Sequence, residues 1–186
     1  PANCYAWRWG QKKSLTKQLK QAKTITSLIY DVPTPINYYD ELYLSKASKN
    51  PHGMLSKDTT LYIAGTDWTD PRDIDANART YLGDIKTSYK YQDALNHVLR
   101  YPQIKTVVGF SLGGSIANEL ANQKSISSVR MYNSPHITKD SGDKKTIFYH
   151  ENDPIYGIFK KEISPDSAVI LGTSYGHTME GHQYIF

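Results

Sequence analysis

A serine that is to attack carbon needs an exposed hydroxyl, a base to take its proton, and a group that orients the base. Ser111 lies in Gly109-Phe-Ser111-Leu-Gly113. An apolar run over 104–110 leads into it, and a helix-patterned segment over 112–123 follows at once. That order predicts a nucleophile elbow, a turn so sharp that strained backbone presents the serine hydroxyl. Side chains at Gly109 and Gly113 are expected to collide with the turn and with the neighbouring helix. The pattern Gly-x-Ser-x-Gly is short, so its setting carries the reading more than its letters. A plain Gly-rich turn is the bland alternative. A phosphate-binding loop is the weaker one, because no Lys follows Gly114 and the spacing misses Gly-x-Gly-x-x-Gly.

Partners of Ser111 are sought past the carboxyl ends of later strands, acid before histidine. Four aspartates follow it: Asp140, Asp143, Asp153 and Asp166. Asp140 and Asp143 sit in Lys139-Asp-Ser-Gly-Asp-Lys-Lys145, which reads as a solvated turn, and Asp166 precedes a strand, at its wrong end. Asp153 directly follows the apolar run 146–150, in His150-Glu-Asn-Asp-Pro154, so position selects it as the orienting carboxylate, with Glu151 in reserve. Its bland reading is a turn residue. The later histidines are His136, His150, His177 and His182. His150 is too near Asp153 in sequence to be a separate partner, and His136 is placed at a site rim. His177 and His182 share the loop after the last strand, and spacing does not separate them.

An oxyanion also needs donors. The Leu112 N–H follows the nucleophile, and Gly65-Thr66-Asp67 follows an earlier strand, where Thr66 offers an N–H and a hydroxyl. A strand-capping turn is the alternative for that loop. His177 and His182 are five apart with no third ligand and one cysteine in the chain, so neither a metal nor a cofactor is expected.

The elements that must position these groups alternate. Strands are expected at 59–64, 104–110, 128–132, 146–150 and 168–171. Helices are expected at 84–100, with Ile85, Tyr91, Leu95, Val98 and Leu99 inward, and at 112–123. Apolar strand interiors between helices predict an α/β fold, a mainly parallel central sheet with helices on both faces. Before it, residues 1–13 read as an aromatic N-terminal arm. A helix is expected from Ser14, with Leu15, Leu19, Ala22, Ile25 and Leu28-Ile29 on one face and Pro33 and Pro35 to end it. Residues 36–58 read as loop with a short helix near 39–45, and 65–77 as a polar loop. No repeat or linker divides 1–186, which is read as one domain.

At 186 residues, with 39% hydrophobic and 22% charged content, the chain can bury a core without disulfides. The net charge of +4 is spread over scattered lysines, which argues against nucleic acid. No apolar stretch reaches the ~18 residues of a membrane span and no signal peptide is recognised, so a soluble protein is expected, its compartment and oligomeric state open. The start at Pro1-Ala-Asn-Cys4 is read as processing from a larger precursor, viral or secreted, or as a fragment.

Ordered motifs over roughly 14–186 resemble the class 3 (fungal-type) lipase family of α/β-hydrolases. Tyr62-Ile-Ala-Gly65-Thr66 with the acidic segment after it is similar to that family's oxyanion strand and lid. Gly109-Phe-Ser111-Leu-Gly113-Gly114-Ser115 resembles its elbow, Tyr132-Asn-Ser-Pro135 its next strand end, and Asn152-Asp-Pro-Ile155 its acid turn. The final motif is matched by His177-Thr-Met-Glu-Gly-His182, which favours His177, though His182-Gln-Tyr-Ile-Phe186 fits nearly as well. The chain departs at Ala64, where the family has Arg, and at Phe110, where it has His, so packing beneath the elbow must differ. Its lid equivalent, 67–77, is polar, with only Trp68 and Ile74 large and apolar. The resemblance implies a serine esterase or lipase without cofactor. Ser111 would be its nucleophile, His177 its base (His182 in reserve), Asp153 its acid, and Thr66 and Leu112 its oxyanion donors. Its partners would be a lipid or small ester and, transiently, a lipid surface. An acyltransferase or thioesterase with the same triad, or an idle hydrolase fold that only binds, are the other readings.

Overall fold

Six strands form one sheet in the order β1-β2-β3-β4-β5-β6. They are β1 (Met54–Lys57), β2 (Thr60–Ile63), β3 (Thr106–Phe110), β4 (Ser128–Tyr132), β5 (Lys145–His150) and β6 (Ala168–Leu171). Strands β2 to β6 run parallel, with Leu61 opposite Val107 and Val107 opposite Val129, and β1 is antiparallel to β2. The computed structural model describes residues 38–135, 144–159, 168–171 and 177. The arm over 1–13, the helix from Ser14 and its proline stop, and His136, Asp140, Asp143, Asp166 and His182 lie outside the described residues.

Consecutive side chains on each strand feed opposite faces. Leu61, Ile63, Val107, Met131 and Tyr149 pack on one face, and Tyr62, Ala64, Val108, Tyr132 and Phe148 on the other. Because the parallel strands advance in one direction, crossovers of a single hand lay the described connecting helices on the same face. There lie α2 (Pro71–Tyr81), a 3-10 turn (Ile85–Thr87), α3 (Tyr89–Arg100), α4 (Leu112–Leu120) and α5 (Pro154–Phe159), contributing Ala76, Ile85, Val98, Ile116 and Ile155 to that core. The opposite face is met by α1 (Tyr38–Ala47) through Leu44 and Ala47. The arrangement is α/β, a mostly parallel sheet with helices.

Several elements differ from expectation. Within 36–58 the short helix is present as α1, but Met54–Lys57 is an edge strand and not loop. Its hairpin turn uses Asp58 at φ 53°, without the glycine that flags such turns. The polar segment 65–77 is loop only to Asp70. Asp70 then caps α2 by accepting the Arg72 N–H, and Pro71 supplies the first helical residue. The 84–100 helix divides at Ser88, whose hydroxyl accepts the Tyr91 N–H as the N-cap of α3. Its inward face is Tyr91, Ala94 and Val98, with Leu95 packed partly buried against the same core as expected; Leu99 is 63% exposed, a quarter-turn off the buried stripe. Helix α5, unexpected, follows Asp153 as α2 follows Asp70, by an Asp-Pro start.

Candidate active site

Strand β3 enters the site and α4 leaves it, with one residue between them. Ser111 takes that position at φ 52° and ψ −121°. For a non-glycine residue such backbone costs about 1–3 kcal/mol and persists only where its surroundings enforce it. They do so by close packing. A Cβ on Gly109 would overlap the Gly113 carbonyl of the helix, and one on Gly113 would overlap the Ile63 carbonyl. The second collision is with the end of β2, not with a neighbouring helix as expected. A Cβ on Gly114 would strike Ser134 Oγ. The Ser111 N–H donates to the Tyr132 carbonyl at 2.9 Å, continuing the β3–β4 ladder to the turn itself.

The Asn133-Ser134-Pro135 segment buttresses the elbow from β4. Ser115 Oγ on α4 donates to the Pro135 carbonyl at 2.5 Å, and Tyr149 Oη donates to the Ser134 carbonyl at 2.6 Å. Asn133, itself at φ 49°, donates its N–H to the Phe148 carbonyl.

The structure brings Ser111, His177 and Asp153 into one chain of hydrogen bonds. Ser111 Oγ donates to His177 Nε2 at 2.6 Å, and His177 Nδ1 donates to Asp153 Oδ2 at 2.8 Å. The carboxylate, an acceptor only, fixes the ring proton on Nδ1 and leaves Nε2 as the base. Asp153 is 1% exposed, and its other oxygen accepts the Ile155 N–H at 2.8 Å. It thus caps α5 while orienting His177, so a buried carboxylate has partners for both oxygens. Phe110 stacks on the His177 ring, with centroids 5.0 Å apart, and restricts its swing from beneath. His182 lies outside the described residues, and Glu151 is exposed.

Gly65 lies against the nucleophile: a Cβ there would sit 3.3 Å from Ser111 Cβ. Beside it, Thr66 Oγ1 accepts from Asn77 Nδ2 at 2.6 Å, which leaves the hydroxyl proton free to donate elsewhere. Leu112 is fully buried at the start of α4, and its N–H is among the donors that a helix start leaves without an intrahelical acceptor. Asn77 was not legible in the sequence; only α2, unseen there, carries it back to Thr66.

His150 ends β5 beside this site. Asn133 Nδ2 donates to its Nδ1 at 2.8 Å and Asn133 Oδ1 accepts its backbone N–H at 2.9 Å. Its Nε2 is buried without a hydrogen-bond partner among the described residues. Burial lowers its pKa to about 4, against the opposing pull of Asp153, so the ring is neutral near pH 7.

The cleft over Ser111 encloses about 1110 Å³. Helix α1 walls one side with Leu42 and Leu44, and α2 with its preceding loop walls the other with Trp68, Ile74 and Tyr81. Among the described residues no group of three His, Cys, Asp or Glu side chains could hold a metal ion, and no helix is long and apolar enough to cross a membrane. Comparison with protein-family models, with curated proteins and with solved structures returned no match.

Proposed function

We propose that this chain is a serine hydrolase of α/β-hydrolase architecture that cleaves carboxylic esters through an acyl-enzyme. The observation that carries the reading is the Ser111–His177–Asp153 hydrogen-bond chain, with Ser111 at positive φ between a parallel strand and its helix. Ser111 Oγ attacks the ester carbonyl carbon as its proton passes to His177 Nε2, and Asp153 stabilises the imidazolium formed. The N–H groups of Thr66 and Leu112, with the Thr66 hydroxyl, receive the oxyanion. The carbon–oxygen bond to the alcohol breaks as His177 returns the proton to it. Water then repeats the sequence on the acyl-Ser111 ester and restores the serine.

A lipid ester is the substrate class this reading favours. The ordered motifs support it, as do Trp68, Ile74 and Tyr81, which line the cleft and stay 71%, 44% and 51% exposed. Such rings and branches can cover an acyl chain or rest on a lipid surface. The test is covalent labelling by a fluorophosphonate probe, with Ser111→Ala as control. Labelling of the wild type that the substitution abolishes is expected; a chain that takes no label at Ser111 sinks the reading.

A further inference from the structure

Lys90, one of the lysines scattered along the sequence, is 3% exposed on α3. Its Nζ donates to Asp73 Oδ2 of α2 at 2.6 Å and to the Gly65 carbonyl at 3.2 Å. The same Asp73 oxygen accepts the Asp67 N–H at 2.8 Å. One buried ion pair therefore holds both peptide groups that flank Thr66, the first by its carbonyl and the second by its N–H. Asn77 holds the Thr66 hydroxyl as well. All these handles belong to α2 and α3, and none to the loop that carries Thr66.

We propose that the buried Lys90–Asp73 pair is a clamp that sets the orientation of the Gly65–Thr66 peptide and thereby aims the Thr66 N–H as an oxyanion donor. In a trans peptide the carbonyl and the N–H point in opposite directions, and the chain has no cis bond among the described residues. Drawing the Gly65 carbonyl to Lys90 turns the Thr66 N–H away from Lys90, in a loop whose Gly65 already lies against Ser111. Without that tether the peptide can rotate and exchange donor for acceptor at the site. A buried ion pair is weak evidence for stability, because an apolar pair of similar volume is often as stable or more so. Positioning gives this one a function that an apolar pair could not supply. Lys90 and Asp73 are positioning residues, since neither touches the reacting atoms.

This inference rests on the hydrolase reading, and the experiment separates their failures. The full chain is assayed with a short-chain p-nitrophenyl ester and a fluorophosphonate, alongside its thermal midpoint. Lys90→Met is expected to lower kcat and the phosphonylation rate together by about 100-fold, the scale of one lost oxyanion donor, with KM within about twofold. It also leaves Asp73 buried and unpaired, so its midpoint drops. The double variant Lys90→Met/Asp73→Leu removes both charges and is expected to regain the midpoint but not kcat. If the double variant regains kcat along with its midpoint, the pair is structural and the clamp is overturned. Lys90→Arg, which keeps charge and donors, is expected to stay within about tenfold of wild type; a loss equal to that of Lys90→Met at unchanged midpoint likewise overturns it. A wild type that neither turns over the ester nor reacts at Ser111 overturns the hydrolase reading, and the clamp with it.

Discussion

Two ion pairs, each with a buried carboxylate, lie on opposite faces of the sheet, and they differ in what else they touch. On the α1 face Arg130 meets Asp40 by two bonds, Nε to Oδ2 at 2.7 Å and a terminal guanidinium nitrogen to Oδ1 at 2.8 Å, and Tyr132 Oη adds a third at 2.7 Å. Burial opposes the Arg130 charge, but the bonds and charge of Asp40 outweigh it and raise the Arg130 pKa. All three groups belong to α1 or β4, so this cluster fastens a helix to a strand. On the α2–α3 face, Lys90 and Asp73 use their remaining capacity on the backbone of the Gly65 loop. The same kind of interaction thus docks an element in one place and directs a peptide group in the other. Planar, bidentate Arg suits the first task, and the compact Lys ammonium, with donors in several directions, suits the second.

The largest expected effect that tests this contrast is Arg130→Met. It leaves the fully buried Asp40 carboxylate with Tyr132 as its remaining partner in the cluster, a loss of about 3 kcal/mol by denaturant unfolding. Turnover per folded molecule is expected to stay within about threefold of wild type, where Lys90→Met loses far more. A turnover loss as deep as that of Lys90→Met would erase the distinction between the faces.

His150 supplies a third case, a buried polar side chain held by Asn133 with no counter-charge in contact. The unfolded chain takes up a proton at this ring near pH 6.5, while the folded protein does so only near pH 4. The unfolded state binds more protons between those values, so stability falls as pH drops through that window. At about 1.4 kcal/mol per pKa unit the loss is about 3 kcal/mol, complete below pH 4. Unfolding free energies of wild type and His150→Gln across pH 4–6.5 check it: the variant should show the shallower slope. Parallel slopes would remove His150 from the comparison.

How far these sites were legible in the sequence follows from how local their signals are. Ser111 and Asp153 carry theirs within a few residues, a strand followed by a turn that only particular residues can make. The structure puts both at strand ends, joined through His177. Spacing did not separate His177 from His182; the resemblance favoured His177, and the structure bonds His177 to Ser111 and Asp153, with His182 outside the described residues. Lys90, Asp73 and Asn77 had no local signal at all. A lysine or aspartate in an amphipathic helix reads as solvated, and these are enclosed only because α2 and α3 pack over the Gly65 loop. The starts of α2 and α5 were legible in principle, since Asp70-Pro71 and Asp153-Pro154 each join a capping side chain to a proline preset for the first turn. Strand β1 is four residues long with Lys57 at its end, too short for alternation to show.

Tyr132→Phe removes one hydrogen bond to the Asp40 carboxylate and leaves its bidentate arginine in place. A bond to a charged group contributes about 2 kcal/mol, so a stability loss of that scale, read as a lowered midpoint, with unchanged kcat is expected. The ring remains stacked on Phe148 at 4.7 Å, so packing on that face is kept. A fall in kcat here would mean that the α1 face also communicates with Ser111, through the Tyr132 carbonyl that accepts its N–H.

The smallest effect tests the other side of the comparison. Ser88 caps α3 two residues before Lys90, and its hydroxyl accepts the Tyr91 N–H at 3.2 Å. Ser88→Ala is expected to cost about 1 kcal/mol, less than Tyr132→Phe. Yet it loosens the first turn of the helix that carries the clamp, so kcat should fall although stability falls less than in Tyr132→Phe. The fall is bounded at about fivefold, because 1 kcal/mol felt wholly in the transition state corresponds to that factor. Paired measurements of kcat and midpoint on the two variants then rank oppositely: the more destabilised protein is the more active one. If Ser88→Ala keeps wild-type kcat, the directing role narrows to the Lys90 and Asp73 side chains themselves. The first turn of α3 would then be scaffold, as α1 is on the opposite face.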